Sequence, residues 1–180
     1  MDISILELFT NLISTMLAGT NNWGAIHPII IHFPVVLLLI VPFFILAGIT
    51  FERSSKTLYL CALILMLLGT TAIFIAVSTG EQATEALETN TSILSTLGHH
   101  DELAEKSKVI FSVLSGIFLI FYLRTNKLTQ IGSRKIIISI LTFFLIFYTF
   151  ALLILFNTAH YGAKLVHQYG ITSSLFESSE

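Results

Sequence analysis

Four long apolar runs constrain the fold of this chain more than any other feature. They cover residues 29–51, 57–79, 109–123 and 136–156. A helix that crosses the hydrocarbon of a bilayer needs about 20 mostly apolar residues. The third run is short, so we expect its helix to begin earlier, near Gly98. The sequence therefore predicts an all-α integral membrane protein built as a four-helix bundle.

The amino-acid composition is also typical of a membrane protein. Of 180 residues, 54% are hydrophobic and only 11% are charged, whereas a soluble domain averages about 25% charged residues. The length allows one membrane domain. The single cysteine, Cys61, lies inside an apolar run, which excludes a disulfide framework and a thiolate metal cluster. Covalent haem attachment is excluded because there is no CxxCH, and nothing suggests nucleic acid as a partner.

The N-terminal stretch differs from the four runs. Leu6, Phe9, Ile13 and Met16 recur at helical spacing with polar residues between them, a pattern typical of an amphipathic helix that lies in the membrane interface. We therefore divide the chain into an interfacial helix (1–22), a transmembrane domain (23–171) and a C-terminal tail (172–180).

The basic residues predict the orientation. Six of the nine Lys and Arg residues lie in two short loops, 52–56 and 124–135. By the positive-inside rule these loops are cytoplasmic. We expect a multi-pass protein of the bacterial inner membrane whose N- and C-termini are periplasmic. Ten of the eleven acidic residues then fall on the outer side.

All six histidines come at the outer ends of the predicted spans. Imidazoles and carboxylates inside a membrane are costly and mark functional sites by default. With a rise of about 1.5 Å per residue, His27, His100 and His160 come to one level, roughly 35 Å from the cytoplasmic ends, and Glu81 comes close to it. The full set is His27, His32, His99, His100, His160 and His167.

The first span opens with HPIIIHFP. Pro28 suits the first helical turn, where its missing N–H is not needed. Pro34 has no N–H to donate to the carbonyl of Ile30, so this helical hydrogen bond is missing and a kink is predicted near His32. His27 and His32 are separated by about 140° around an ideal helix, so they do not share a face unless the kink brings them together.

The fourth span closes with a polar stripe. Asn157, His160, Lys164 and His167 follow a spacing that puts them on one helical face, and Gly170 is a plausible C-cap. A solvated interfacial face is an equal alternative for Lys164 and His167. Gly162 lets a flat cofactor or another helix approach the backbone near His160.

Four motifs in order resemble the prokaryotic membrane family known as domain of unknown function 2231. They are HPIIIHFP, TGEQATE, HHDELAE and HYGAKLVHQYG, within residues 25–171. The resemblance implies a four-helix membrane domain that is sometimes fused to a cytochrome c-like domain, an association that hints at electron transfer. The chain departs from the family pattern at Ala163, where a second glycine is usual, and at His167, where an aromatic is common. The positions at which this chain matches the motifs of the family are His27, Pro28, His32, Pro34, Gly80, one of His99 and His100, His160 and Gly162.

The first functional hypothesis is a b-type cytochrome-like electron carrier with its haem at the periplasmic face. Haem in a bundle is held by two neutral imidazoles from facing helices. Its partners would be a quinol pool and a periplasmic redox protein, and any enzymatic role would be that of a subunit in a membrane oxidoreductase. The predicted cofactor-binding residues are His27, His32, His99, His100, His160, Gly162 and Lys164.

Two alternatives stay open at this point. A non-haem Cu, Zn or Fe site could use imidazole together with carboxylate. The candidate ligands are His27, His32, His100, His160 and Glu81. The chain could otherwise be a structural subunit that binds other membrane subunits, with histidines that tune an interfacial pH response.

Overall fold

The computed structural model describes residue 7 and residues 23–84, 91–131 and 134–171, with side chains for 7, 24–84, 91–126 and 134–171. Apart from Glu7, the predicted interfacial helix and the C-terminal tail lie outside the described residues, as do Glu85 and Glu88.

Among the described residues, four helical segments are long and apolar enough to cross a membrane, which confirms the predicted bundle. We refer to them as span 1 (Gly24–Thr50), span 2 (Glu52–Thr84), span 3 (Thr91–Asn126) and span 4 (Arg134–His167). The helix of span 3 begins at Thr91, before the predicted start at Gly98, and continues to Ile131. The helices of spans 2 and 4 are Ser55–Thr84 and Arg134–His167.

Span 1 is interrupted near its start, as the proline pattern predicts. A 3-10 turn, Trp23–Ile26, leads into a short helix, His27–Ile30, and a second helix, His32–Thr50, follows after Ile31. Pro28 occupies the first turn of the short helix. The break lies three to four residues before Pro34, where the proline removes a helical hydrogen bond.

The core of the bundle is apolar with a few interhelical hydrogen bonds. Large buried side chains fill it from all four spans, among them Leu38, Met66, Phe118 and Tyr148. The Tyr148 hydroxyl donates to the carbonyl of Leu38 at 2.9 Å, which ties span 4 to span 1. Other large apolar side chains point outward, as expected for a surface that faces lipid.

The spans pack as two hairpins. Span 1 packs mainly on span 2, and span 3 packs mainly on span 4, while span 2 joins the two hairpins by its contact with span 3. Spans 1 and 4 contact each other least of these neighbouring pairs. The seam between spans 1 and 4 is therefore the most loosely closed side of the bundle.

The two ends of the bundle differ in chemistry. We call the end that carries His27, Thr79, His100 and Thr158 the histidine end, and the opposite end, with Arg53, Arg124 and Arg134, the basic end. Span 4 ends as predicted: Gly170 has φ of +68°, and its N–H donates to the carbonyl of Val166. A glycine adopts this left-handed conformation without a steric penalty.

Candidate functional site

His27 is fixed by a residue of the neighbouring span. Its Nδ1 lies 3.0 Å from the Thr79 hydroxyl oxygen, and that hydroxyl donates its own proton to the carbonyl of Ala76. Because the Thr79 hydroxyl donates to Ala76, we assign the proton between Thr79 and His27 to Nδ1, which makes the imidazole the donor. The ring is then the tautomer whose Nε2 keeps a free lone pair.

His100 is fixed in the same manner in the second hairpin. Its Nδ1 lies 2.9 Å from the backbone carbonyl oxygen of Thr158 in span 4. Since a carbonyl only accepts, Nδ1 carries the proton and Nε2 again has a free lone pair. An imidazole whose Nδ1–H is held by an oxygen and whose Nε2 is unprotonated is the usual arrangement of a histidine that ligates a metal.

A glycine lies beside each of these two rings. A Cβ placed on Gly80 would be 3.0 Å from Cε1 of His27, and one on Gly162 would be 3.1 Å from Cε1 of His100. Both distances are shorter than ordinary van der Waals contact between carbon atoms. Each imidazole therefore occupies space that only glycine leaves open on the facing helix.

The two imidazoles lie close together across the boundary between the hairpins. Their ring centroids are 6.5 Å apart and their planes are nearly perpendicular, at 89°. Both side chains are half-buried. The carboxylate of Asp101 is close enough to interact electrostatically with His100 and with Glu81, so one acidic group lies near His100.

His99 belongs to a different environment from its neighbour His100. Its Nδ1–H donates to the carbonyl of Ser95, one turn earlier in the same helix, at 2.8 Å. The ring stacks on Tyr161, with centroids 5.4 Å apart. His160 meets the same tyrosine edge-on, and the Lys164 ammonium lies over it. The structure thus distinguishes between the two adjacent histidines and places His100 at the pair.

The remaining predicted site residues do not converge on the pair. His32, on the outward side of span 1, is exposed, so the kink does not bring it together with His27. His160, His167 and Glu81 are also exposed, and Lys164 is half-buried against Tyr161. Within the described parts of the chain, no group of three or more His, Cys, Asp or Glu side chains could hold a metal ion.

Sequence reasoning did not identify the two threonines that fix the rings. Thr79 and Thr158 are buried polar residues at the histidine end, and the Thr158 hydroxyl also lies 3.4 Å from that of Ser107. For Thr79 a signal was present in the sequence, because a threonine that directly precedes Gly80 at the level of the histidines points to a polar contact there. For Thr158 there was none, because it holds His100 through its backbone carbonyl, which any residue would supply.

The comparisons with known proteins identify a family without an activity. The family described as predicted membrane protein, DUF2231, matches residues 24–175. Comparison with curated proteins and with solved structures found no significant match.

Proposed function

Since the chain belongs to the DUF2231 family of predicted membrane proteins, we propose its function from the site itself: it is a membrane-bound electron carrier in which His27 and His100 hold a b-type haem. The observation that carries this proposal is the convergence of two imidazoles from separate hairpins, each with a free Nε2. A bound haem supplies one-electron chemistry at its iron, with a potential that depends on the axial ligands.

The number of donors supports haem over a non-haem metal. A haem iron takes only two ligands from the protein, whereas a zinc site takes three or four. Two imidazoles converge at the histidine end, and the described residues offer no third ligand to them. The donor set therefore fits a bis-histidine haem and leaves a non-haem Cu, Zn or Fe site incomplete.

The separation of the rings also fits. Two imidazoles that bind one metal ion through nitrogens about 2 Å from it have ring centres at most roughly 6.5 Å apart. The rings of His27 and His100 have centres 6.5 Å apart. They stand on different hairpins, so the loosely closed seam between spans 1 and 4 is the side through which a flat group could enter between them.

The surrounding residues would position the ligands and balance charge. Thr79 and Thr158 hold the Nδ1–H groups, which fixes the ring orientations and makes each Nε2 a better ligand. Gly80 and Gly162 leave space for the rings. Lys164 lies further out than Thr158 on span 4, where a cation could neutralise a propionate, whereas Lys106 lies more than one turn deeper than His100 on span 3 and pairs with Glu102.

The orientation in the membrane decides the partners. From the basic loops we infer that the histidine end faces the periplasm of a bacterial inner membrane, with both termini on that side. Ligands at one end only would exchange electrons at that face, with a quinol in the membrane or a water-soluble redox protein, rather than across the bilayer. The interfacial helix expected for residues 1–22 and an association with other membrane subunits stay predictions.

An absorption spectrum of the purified full-length protein tests the proposal. We expect a sharp Soret band that shifts when dithionite is added, and one non-covalently bound haem for each chain. A colourless protein with stoichiometric Zn or Cu would replace the haem by a non-haem metal. A protein with neither haem nor metal would leave the structural-subunit alternative.

A further inference from the structure

The basic end contains a cavity that the proposed electron transfer does not use. Its volume is about 300 Å³, which is within the range of small-ligand sites. Residues from all four spans line it, including Glu52, Ser55, Tyr59, Thr125, Arg134 and Ile137. Tyr59 and Gly80 are separated along span 2 by about 30 Å of helix, so this cavity is remote from the histidine pair.

Tyr59 presents an unused hydroxyl to this cavity. The residue is only 3% exposed, and its ring is held against Gly48 and against Phe121, whose centroid is 5.7 Å away. No described residue forms a hydrogen bond with the Tyr59 hydroxyl. Every side-chain N or O atom that is fully enclosed in the described structure does have a hydrogen-bond partner, so the Tyr59 hydroxyl is not fully enclosed. The hydroxyl therefore faces the open space of the cavity, where an acceptor from outside the protein can reach it.

The end of the bundle around the cavity carries an excess of positive charge, although the two charged residues that line the cavity, Arg134 and Glu52, pair with each other. Arg134 lines it, donates to the carbonyl of Ile49 at 3.1 Å and pairs with Glu52. A guanidinium has five N–H groups, so donors remain after these contacts. Six of the nine basic residues of the chain lie at this end, and Glu52 is its one acidic residue.

The walls add an apolar component. Ile49, Ile137 and Ile138 line the same cavity as the hydroxyls and the guanidinium. A ligand that satisfies both parts has an anionic head with several acceptor oxygens and a hydrocarbon portion. Basic pockets between transmembrane helices at a membrane surface are suited to phospholipid head groups.

We propose that this cavity binds the phosphate-bearing head group of an anionic phospholipid, with the Tyr59 hydroxyl donating to a phosphate oxygen. Arg134 supplies the compensating charge, and the isoleucines contact the glycerol and the first acyl carbons. Free inorganic phosphate shares the head-group chemistry but has no hydrocarbon to place against these walls, and the experiment separates the two sources.

Native mass spectrometry of the full-length chain in detergent tests this binding. We expect phosphatidylglycerol to be retained in preference to phosphatidylcholine, and Tyr59→Phe to weaken phosphatidylglycerol binding about tenfold, the loss of one hydrogen bond to a charged group. Tyr122→Phe is the matched control, because Tyr122 is a half-buried tyrosine near the same end that does not line the cavity. It should bind as the wild type does.

The same samples separate the other outcomes. Because the Tyr59 hydroxyl has no partner in the described fold, Tyr59→Phe should keep the lipid-free thermal midpoint of the wild type. A lowered midpoint would show that the fold itself uses the hydroxyl and would overturn the proposal. Equal binding of the two lipids, unchanged binding in Tyr59→Phe, or displacement of the lipid by millimolar inorganic phosphate would overturn it as well.

Discussion

His27 and His100 differ from the other histidines in the residue that fixes each ring. Their Nδ1–H groups bond to Thr79 and Thr158 on neighbouring spans, whereas His99 bonds to Ser95 of its own helix. A bond between helices sets the direction of the ring relative to the bundle, and a bond within one helix does not. The geometry of the pair therefore depends on residues that are not themselves ligands.

Substitution of the two glycines tests the space for the rings. We expect Gly80→Ala and Gly162→Ala to displace the imidazoles, to destabilise the fold by about 1–3 kcal/mol through overpacking, and to lower haem content. Gly98→Ala is the control, because a Cβ there meets nothing within 4 Å. It should be neutral or stabilising by up to about 1 kcal/mol. Equal unfolding free energies for all three variants would contradict the assigned close contacts.

Thr79→Val tests the bond that orients His27. Valine keeps the shape of threonine but leaves the Nδ1–H without its acceptor, which we expect to cost about 1–3 kcal/mol of stability and to weaken cofactor binding roughly 10–100-fold. Thr71→Val is matched to it, because the exposed Thr71 hydroxyl bonds only to the carbonyl of Leu67 in its own helix. Similar cofactor retention by both variants would show that Thr79 does not position the ligand.

At the scale of the elements, the sequence determines the helices but not their rotation. The apolar runs predicted all four spans, Pro34 predicted the interruption of span 1, and Gly170 predicted the end of span 4. One residue of register turns a side chain by about 100° around a helix. This is why the sequence could place His99 and His100 at one level without showing which of them faces His27.

The seam between spans 1 and 4 has a hydrogen bond that we expect to matter for its closure. Tyr148→Phe removes the donor to the Leu38 carbonyl in the fully buried core. We expect a loss of about 1 kcal/mol in the free energy of unfolding, as for other hydrogen bonds between membrane helices. Tyr122→Phe, at a half-buried position, should change it less. Unfolding in mixed micelles of increasing sodium dodecyl sulfate content gives both values, and equal values would mean that this bond does not close the seam.

At the scale of the whole molecule, the sequence predicts two chemically different ends. It assigns the six histidines and ten of the eleven acidic residues to one end and six of the nine basic residues to the other. Several of these acidic residues lie outside the described residues, so their placement stays a prediction. The pairing of His27 with His100, and the exclusion of His32 from it, could not be predicted in this way, because they depend on how the hairpins pack. The charge pattern of the sequence predicts the end of the bundle at which a residue lies, but its neighbours at that end depend on how the helices pack.

Reporter fusions test the orientation of the whole bundle. A reporter placed after Gln130, in the last turn of the helix that contains span 3, should be active only as a cytoplasmic reporter, because the segment 124–135 is basic. A reporter after Glu180 should be active only as a periplasmic one. The reverse pattern would move the histidine pair to the cytoplasmic face and exclude a periplasmic redox partner.

The ratio of haem to protein in single alanine variants tests the central claim most directly. His27→Ala and His100→Ala should each abolish stoichiometric haem, since each would remove one of the two residues proposed to hold it. His99→Ala and His160→Ala should retain it, since both rings contact Tyr161 rather than the pair. Retention of haem in His27→Ala and His100→Ala, with loss in His99→Ala or His160→Ala, would contradict the assignment of the pair as the cofactor site.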